Sequence, residues 1–243
     1  MTNNLELEDI GEVTESRTFH QLGILILDGS GSMASIGDGN ISLADNVNRA
    51  VREFLGFFKG SVIANNFSVA VVTFDNNAKV HTPITELTSI DDFADYNPMN
   101  GHGGGTYIGG ALELAEDLAI QFLNNPEASS IPYDVRFIVM SDGLCLAPEQ
   151  TKVVSDSLKQ CSKILVYSTL VTKTAQVGET DTIEAKTILS DIASSSNSYK
   201  TLYTDRAESD LRKFFISSMS AKKPRTDESS TKKLCPVCKT IHA

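Results

Sequence analysis

An apolar run that ends in a single aspartate constrains this chain more than any other feature. Residues 22–27 are apolar almost without interruption, and they lead directly into Asp28 and the loop Gly29-Ser30-Gly31-Ser32. Such a run is typical of a strand that is buried on both faces, as in a parallel sheet. In open α/β sheets, ligands bind in the crevice beyond the carboxyl ends of the strands. The sequence therefore predicts that this loop lies at a binding edge.

The chemistry of the loop favours a hard cation. Asp28, Ser30 and Ser32 alternate along the chain, and in a tight turn their oxygen atoms can face one point. Gly29 and Gly31 let the backbone fold there without a clash from a β-carbon. Because all the candidate ligands are oxygen atoms, Mg²⁺ or Mn²⁺ is favoured over softer metals.

Two further segments place oxygen-bearing side chains at comparable junctions. Thr106 follows the glycine-rich residues 101–105 and opens a stretch whose apolar residues recur at helical spacing. Asp142 follows a second apolar run at residues 135–140. We therefore predict one metal site, formed by Asp28, Ser30, Ser32, Thr106 and Asp142.

These three segments, in this order, resemble the metal-ion-dependent adhesion site (MIDAS) of von Willebrand factor A domains. One Asp-x-Ser-x-Ser motif alone is common in turns, whereas the three pieces at such junctions form a specific signal. The resemblance spans about residues 21–218. It implies that the seryl and threonyl oxygens bind the metal and that the acids assist directly or through water. It also implies that an Asp or Glu of a partner protein completes the coordination shell.

The order of the apolar segments predicts the fold. Strands are expected near residues 22–28, 68–74, 79–84, 135–140, 164–170 and 199–203. Helices are expected from about residues 42, 106, 149, 183 and 207, with a short one over residues 88–95. A tight turn at residues 75–78 makes the third strand antiparallel to the second. We predict an α/β fold: a doubly wound, mainly parallel six-stranded sheet with one antiparallel edge strand and helices on both faces.

Composition divides the chain into three parts. Residues 1–18 are predicted to form an acidic arm, residues 19–219 the folded domain, and residues 220–243 a Lys-rich linker and cysteine-containing tail. The chain has no apolar stretch of membrane-spanning length, and its first residues lack the features of a signal peptide. Its four scattered cysteines do not form a disulfide framework. These features predict a cytoplasmic protein with no membrane contact.

The charge argues against nucleic acid as a partner, because a formal net charge of −10 repels phosphate backbones. A protein partner that supplies an Asp or Glu to the metal is expected instead. The sequence most resembles the cytoplasmic TerY-like group, which is associated with tellurium resistance. That resemblance implies a scaffold beside kinase and phosphatase components in a bacterial stress-response or defence system.

The carboxyl-terminal tail carries a separate signal. Cys235, Cys238 and His242 have the spacing of a zinc knuckle, but structural zinc takes four ligands. TerY-like proteins end in a zinc ribbon with two Cys-x-x-Cys pairs, whereas this sequence has one. Both interpretations therefore stay open: Zn²⁺ bound with a fourth ligand from elsewhere, or an unstructured tail.

Three classes of enzyme fit the same motif less well. A dinucleotide-binding loop requires a helix directly after it, but the first helix is predicted from Ser42. A haloacid-dehalogenase-type phosphatase requires a second aspartate where Ser30 stands, and a serine hydrolase requires Gly-x-Ser-x-Gly. His102 is the only histidine in the metal-side loop, and a histidine without an orienting partner is a poor base.

We therefore predict a non-enzymatic scaffold that binds a partner protein through Mg²⁺ or Mn²⁺. The alternative is a metal-dependent phosphohydrolase in which the same cation activates water. A third possibility is a pseudo-site with a purely structural role.

Overall fold

A computed structural model describes residues 17–221, in which six strands form one sheet in the order β3-β2-β1-β4-β5-β6. The strands are β1 (His20–Asp28), β2 (Phe67–Phe74), β3 (Ala78–Glu86), β4 (Tyr133–Ser141), β5 (Ile164–Thr172) and β6 (Tyr199–Tyr203). β3 runs antiparallel to β2, and every other neighbouring pair is parallel. The predicted α/β sheet with one antiparallel edge strand is confirmed.

Five α-helices cover both faces of the sheet in this part of the chain. They are α1 (Leu43–Lys59), α2 (Ile108–Leu123), α3 (Pro148–Lys159), α4 (Thr180–Ile192) and α5 (Ala207–Ser220). Leu25 and Leu27 of β1 share one core with α1 and α5, and Ile24 and Ile26 share the other with α2, α3 and α4. Both faces of β1 are therefore buried, which explains its uninterrupted apolar sequence.

The segment after β3 differs from the prediction. Residues 88–95 do not form a helix, and only a 3₁₀ turn at Leu87–Ser89 precedes an irregular loop. The carboxylates of Asp91 and Asp95 each accept a hydrogen bond from the backbone N–H two residues further on. Such local bonds compete with helical hydrogen bonds, so turns replace the predicted helix.

The strand order places the candidate site at a topological switch point. From β1 the sheet grows through β2 on one side and through β4 on the other, so the connections leave β1 in opposite directions. Asp28 ends β1, and Asp142 directly follows β4. Because the two strands are parallel neighbours, both aspartates lie at the same edge of the sheet, where ligands bind in such folds.

Some predictions fall on residues that the structure does not describe. The acidic arm at residues 1–18 lies outside the described range apart from Arg17 and Thr18, and Cys235, Cys238 and His242 lie wholly outside it. Within residues 17–221, no helix combines the length and the apolar character needed to cross a bilayer.

Candidate metal centre

Asp28 forms the base of the candidate site. It is completely buried at the end of β1. Its Oδ1 accepts a 2.8 Å hydrogen bond from the backbone N–H of Ser30, and its Oδ2 accepts a 2.5 Å bond from the hydroxyl of Ser141. Both partners are donors, which suits a charged carboxylate. Asp28 thus ties the loop after β1 to the end of β4.

Ser30, Ser32 and Asp142 form a chain of oxygen atoms next to Asp28. The Oγ atoms of Ser30 and Ser32 lie 3.0 Å apart, and Ser32 Oγ donates a 2.7 Å bond to Asp142 Oδ1. Ser30 is buried, whereas Ser32 is exposed and Asp142 is half-buried. The chain of oxygen atoms therefore runs from the interior to the surface.

Thr106 brings a third hydroxyl to the same place. Thr106 Oγ1 and Ser32 Oγ each lie 3.7 Å from the position that a β-carbon would take on Gly143. Thr106 itself precedes α2, which begins at Ile108 rather than at Thr106 as predicted. Tyr107 has a non-helical backbone, with φ −110° and ψ 83°, so the helix cannot include Thr106.

The structure brings the five predicted side chains together. Ser30, Ser32, Thr106 and Asp142 line one open cleft of about 440 Å³, and Asp28 lies behind Ser30. In the range 17–221, no group of three or more His, Cys, Asp or Glu side chains is arranged to hold a metal ion. A cation in this cleft would therefore depend on the hydroxyls, and the role of the five residues as ligands stays a prediction.

The two carboxylates of the site repel each other, and both have raised pKa values. Burial, and then repulsion from Asp142, raise the pKa of Asp28 to about 7. Burial also raises the pKa of Asp142. Neither acid forms an ion pair with a Lys, Arg or His side chain among the residues described. Two crowded acids with a shared set of oxygen donors fit a divalent cation, which favours their charged forms.

The glycines of the loop prevent a clash with a second loop. A β-carbon on Gly29 would lie 2.2 Å from the carbonyl oxygen of Pro98, and one on Gly31 would lie 3.1 Å from that of Gly103. Neither Gly29 nor Gly31 has a positive φ. They are therefore needed because two backbones approach closely, and not because the turn requires a left-handed conformation.

His102 does not serve as a base in the cleft. Its Nδ1 lies 3.0 Å from Asp75 Oδ1, its Nε2 lies 3.1 Å from Thr73 Oγ1, and its side chain is only 4% exposed. Both ring nitrogens are thus engaged away from the residues that line the cleft. Asp75, the first residue of the predicted turn at residues 75–78, is the orienting partner that His102 was expected to lack.

Two residues that the sequence analysis did not single out support the site. Ser141 is completely buried and donates to Asp28. Asn76 accepts a 3.0 Å bond from the N–H of Gly105, directly before Thr106. Ser141 could have been found, because it lies between a buried strand and Asp142. Asn76 had no signal beyond its place in a turn.

A comparison with protein-family models matches residues 24–142 to the von Willebrand factor type A domain. The matched range contains all five predicted ligand residues. A sequence comparison with curated proteins found no significant match.

Solved structures share the fold at low sequence identity. The pilus adhesin SpaC from Lactobacillus rhamnosus GG aligns with a TM-score of 0.65 and 15% identity, over 83% of this chain and 31% of its own. The vWF domain of the type V pili tip protein Mfa5 from Porphyromonas gingivalis aligns with a TM-score of 0.56 and 12% identity, over 86% of this chain and 99% of its own.

A third structure contains a metal. Proximal thread matrix protein 1 from the mussel byssus, with a zinc-occupied MIDAS motif, aligns with a TM-score of 0.53 and 16% identity, over 82% of this chain and 46% of its own. The chain thus spans about a third of the length of SpaC and less than half of the mussel protein. At these identities the comparisons show a shared fold.

Proposed function

We propose that the von Willebrand factor type A domain of this chain, which the family-model match and the shared fold support, is a protein-binding module that depends on Mg²⁺ or Mn²⁺. In this proposal Ser30, Ser32, Thr106 and Asp142 hold the cation, and Asp28 adds negative charge from behind Ser30. One observation carries the proposal: three hydroxyls and the Asp142 carboxylate line one open cleft with the Asp28 carboxylate directly behind it, and within residues 17–221 neither acid forms an ion pair.

The proposed ligands leave the cation able to bind an anion. Mg²⁺ takes six oxygen ligands and usually retains water molecules, whereas the chain offers four side chains that line the cleft. Three of those four are neutral hydroxyls, so the bound cation supplies an electrophilic centre facing solvent. An Asp or Glu of a partner protein is the anion that fits such a centre.

The donor chemistry favours Mg²⁺ or Mn²⁺, because every proposed ligand atom is an oxygen. Zinc must nevertheless be compared directly, since the mussel protein has zinc in its MIDAS motif. Titration calorimetry with each of the three cations decides the order of affinity. We expect one cation per chain and weaker binding in Thr106→Ala. Wild-type protein that takes up none of the three would overturn the proposal.

A partner is sought by retention on the immobilised protein with and without a chelator. We expect a partner that elutes with chelator and that is not retained by Thr106→Ala. Gly178→Ala is a suitable control, because a β-carbon at Gly178 meets no atom within 4 Å. Retention that survives both chelation and Thr106→Ala would contradict a metal bridge.

The wider setting belongs to the same proposal. The resemblance of the sequence to TerY-like proteins supports a scaffold beside kinase or phosphatase components in a bacterial stress-response or defence system. The partner eluted by chelator is identified by mass spectrometry. A kinase or phosphatase component supports this setting, and a partner from an unrelated system contradicts it.

The competing function is metal-dependent hydrolysis of phosphate esters. Structural neighbours described as an adhesin and a pilus tip protein favour a non-catalytic domain. The engaged ring nitrogens of His102 also favour it, because His102 is not available as a base. Incubation with a phosphate ester and Mg²⁺ or Mn²⁺ tests this alternative. Turnover that disappears in Asp28→Ala would favour the enzyme.

A further inference from the structure

A turn that supplies no proposed ligand holds the loop that carries Thr106. That loop, residues 101–105, contains two glycines with positive φ, Gly101 at 75° and Gly103 at 136°. Such a glycine-rich backbone has many accessible conformations. The Thr106 hydroxyl, however, can contribute to a site with Ser32 only from one position. Contacts from outside the loop must therefore select its conformation.

The turn between β2 and β3 provides these contacts through two neighbouring residues. Asp75 accepts through both its carboxylate and its carbonyl oxygen, and Asn76 accepts through its side-chain amide. Three backbone N–H groups that flank Thr106 donate to them: Gly104 to Asp75 Oδ2 at 3.0 Å, Gly105 to Asn76 Oδ1 at 3.0 Å, and Tyr107 to the Asp75 carbonyl at 2.8 Å. The peptide on either side of Thr106 is thus held by one turn.

His102 holds the beginning of the same loop against the same carboxylate. It lies between Asp75 Oδ1 at 3.0 Å and Thr73 Oγ1 at 3.1 Å, and its side chain is almost completely buried. Because each ring nitrogen has a partner, the ring has one orientation that satisfies both. Asp75 therefore contacts the loop at His102, between the two glycines with positive φ, and again at Gly104 after them.

The loop in turn contacts the segment of the two serines. The N–H of Gly31, between Ser30 and Ser32, donates a 2.9 Å bond to the carbonyl of Gly104. Gly104 thus accepts a hydrogen bond from Gly31 through its carbonyl oxygen and donates its own N–H to Asp75. A change at Asp75 reaches both the threonine and the serines through this one residue.

We propose that Asp75, acting with Asn76 and His102, is a positioning residue that sets the cation affinity of the site. It acts through the placement of Thr106 and Gly104 and does not contact the cation. The affinity statement rests on the proposed function, whereas the effect of Asp75 on the loop can be measured without any cation. If Asp75 served only the hairpin, its loss would lower stability and leave cation affinity unchanged.

The first test is titration calorimetry with Mg²⁺ and with Mn²⁺ on Asp75→Ala, Asp75→Asn and Asn76→Ala. Loss of groups that orient metal ligands typically costs 10- to 100-fold in metal affinity, and we expect a loss of that size in Asp75→Ala. Asp75→Asn keeps one acceptor oxygen and should recover part of the affinity. Asn76→Ala keeps the proposal testable if Asp75→Ala does not fold.

Asn125→Ala is the matched control. Asn125 accepts a 2.9 Å bond from the N–H of Glu127 in a turn after α2, so this variant loses a similar bond at the opposite end of α2 from Thr106. Its cation affinity should equal that of the wild type. An equal loss in Asn125→Ala and Asp75→Ala would overturn the proposal, since it would show a general effect of weakened turns.

The second test is amide hydrogen exchange in chelator, measured residue by residue. We expect the amides of Gly104, Gly105 and Tyr107 to exchange faster in Asp75→Ala, while the amides of β1 keep their protection. If the wild type binds no cation, the proposed function fails. The exchange rates of Gly104, Gly105 and Tyr107 alone then show whether Asp75 holds the loop. If the wild type binds and Asp75→Ala binds equally well, the present proposal is wrong and the proposed function stands.

Discussion

β1 carries a buried titratable residue at each end, and the two ends differ in how they satisfy it. At the amino end, His20 Nδ1 lies 3.2 Å from the hydroxyl of Tyr133, and Nε2 lies 2.9 Å from Ser68 Oγ. The rings of Phe122 and Tyr133 pack edge-on against the imidazole. Burial is the main cause that lowers the pKa of His20 to about 4, so the ring is neutral at pH 7. A neutral imidazole with both nitrogens bonded needs no further partner.

At the carboxyl end, burial and hydrogen bonding oppose each other. Burial and the charge of Asp142 favour a protonated Asp28, with a pKa of about 7. The hydrogen bonds from Ser30 and Ser141 favour the charged form instead. The cation of the proposed function would resolve this conflict in favour of the charged form. The comparison shows that the end with unresolved electrostatics is the candidate for function.

The sharpest way to break this contrast is to remove a proposed ligand. We expect Asp142→Ala to lose Mg²⁺ binding by more than the roughly 100-fold that loss of an orienting group can cost. Ser68→Ala, which removes a hydrogen bond at the amino end, should bind Mg²⁺ like the wild type. Calorimetry measures both. Undiminished binding in Asp142→Ala would mean that the carboxyl end holds no cation.

The pH dependence of the free energy of unfolding, measured with a chelator present, tests the raised pKa of Asp28. The folded-state pKa of about 7 lies above the ordinary value of 3.8, so the folded protein holds the Asp28 proton more tightly between these values. The contribution of Asp28 to the free energy of unfolding should therefore fall as pH rises from about 4 to about 7, by on the order of 4 kcal/mol.

Urea denaturation across this range measures that fall. Asp28→Asn should lose this contribution, because the amide does not titrate, so the difference between the wild-type and variant profiles measures it. Saturating Mg²⁺ should restore stability at the upper end, since it binds the deprotonated site. A difference between the wild-type and Asp28→Asn profiles that stays constant from about pH 4 to about pH 7 would show that Asp28 is not strained.

The opposite slope is expected at His20. Its folded-state pKa of about 4 lies below the ordinary value of 6.5, so the unfolded chain binds the proton more tightly. The stability that depends on neutral His20 is complete above pH 6.5 and is lost as pH falls toward 4, with a slope of at most about 1.4 kcal/mol per pH unit. His20→Gln should remove this slope and leave Mg²⁺ affinity unchanged. If His20→Gln changed the Mg²⁺ affinity, the two ends of β1 would be energetically coupled, which contradicts the contrast drawn between them.

Gly23, within β1, and Gly29, directly after it, differ in the atoms that an added β-carbon would meet. A β-carbon on Gly29 would meet a backbone carbonyl at 2.2 Å, whereas one on Gly23 would meet the flexible Met219 side chain at 2.4 Å. Gly29→Ala should therefore cost about 1–3 kcal/mol and weaken Mg²⁺ binding. Gly23→Ala should cost less and leave binding unchanged. Thermal unfolding and calorimetry separate the two, and equal effects on binding would contradict the assignment.

Most elements could be predicted because each depends on residues close together in the chain. The apolar run of β1 and the stripe of α1 indicate burial directly, and Ser42 caps α1 as its position suggests. The predicted helix at residues 88–95 failed for a local reason as well. There the side chains of Asp91 and Asp95 take the bonds of the backbone, and periodicity alone does not weigh that competition.

The candidate site was predictable only in part. Asp28, Ser30 and Ser32 lie in one motif, and Asp142 ends a comparable strand, so the carboxyl edge of a parallel sheet suggests their meeting. The position of Ser141 next to Asp142 was noticeable, but the sequence did not indicate which residues the supporting side chains contact. Ser141 reaches Asp28 across 113 residues, and Asp75 reaches Gly104 across 29. Neither separation is a spacing that one helix or strand imposes, so sequence periodicity could not indicate these contacts.

The sequence by itself determined which oxygen-bearing side chains are candidates for a cation site and at which edge of a sheet they lie, because strand burial and the chemistry of oxygen atoms are local properties. Only the tertiary structure decided that Asp28 is bonded from both sides, that His102 is bound to Asp75, and that the turn after β2 holds Thr106. These contacts depend on the order of neighbouring strands and on the close approach of separate loops. Both arise when the whole chain packs.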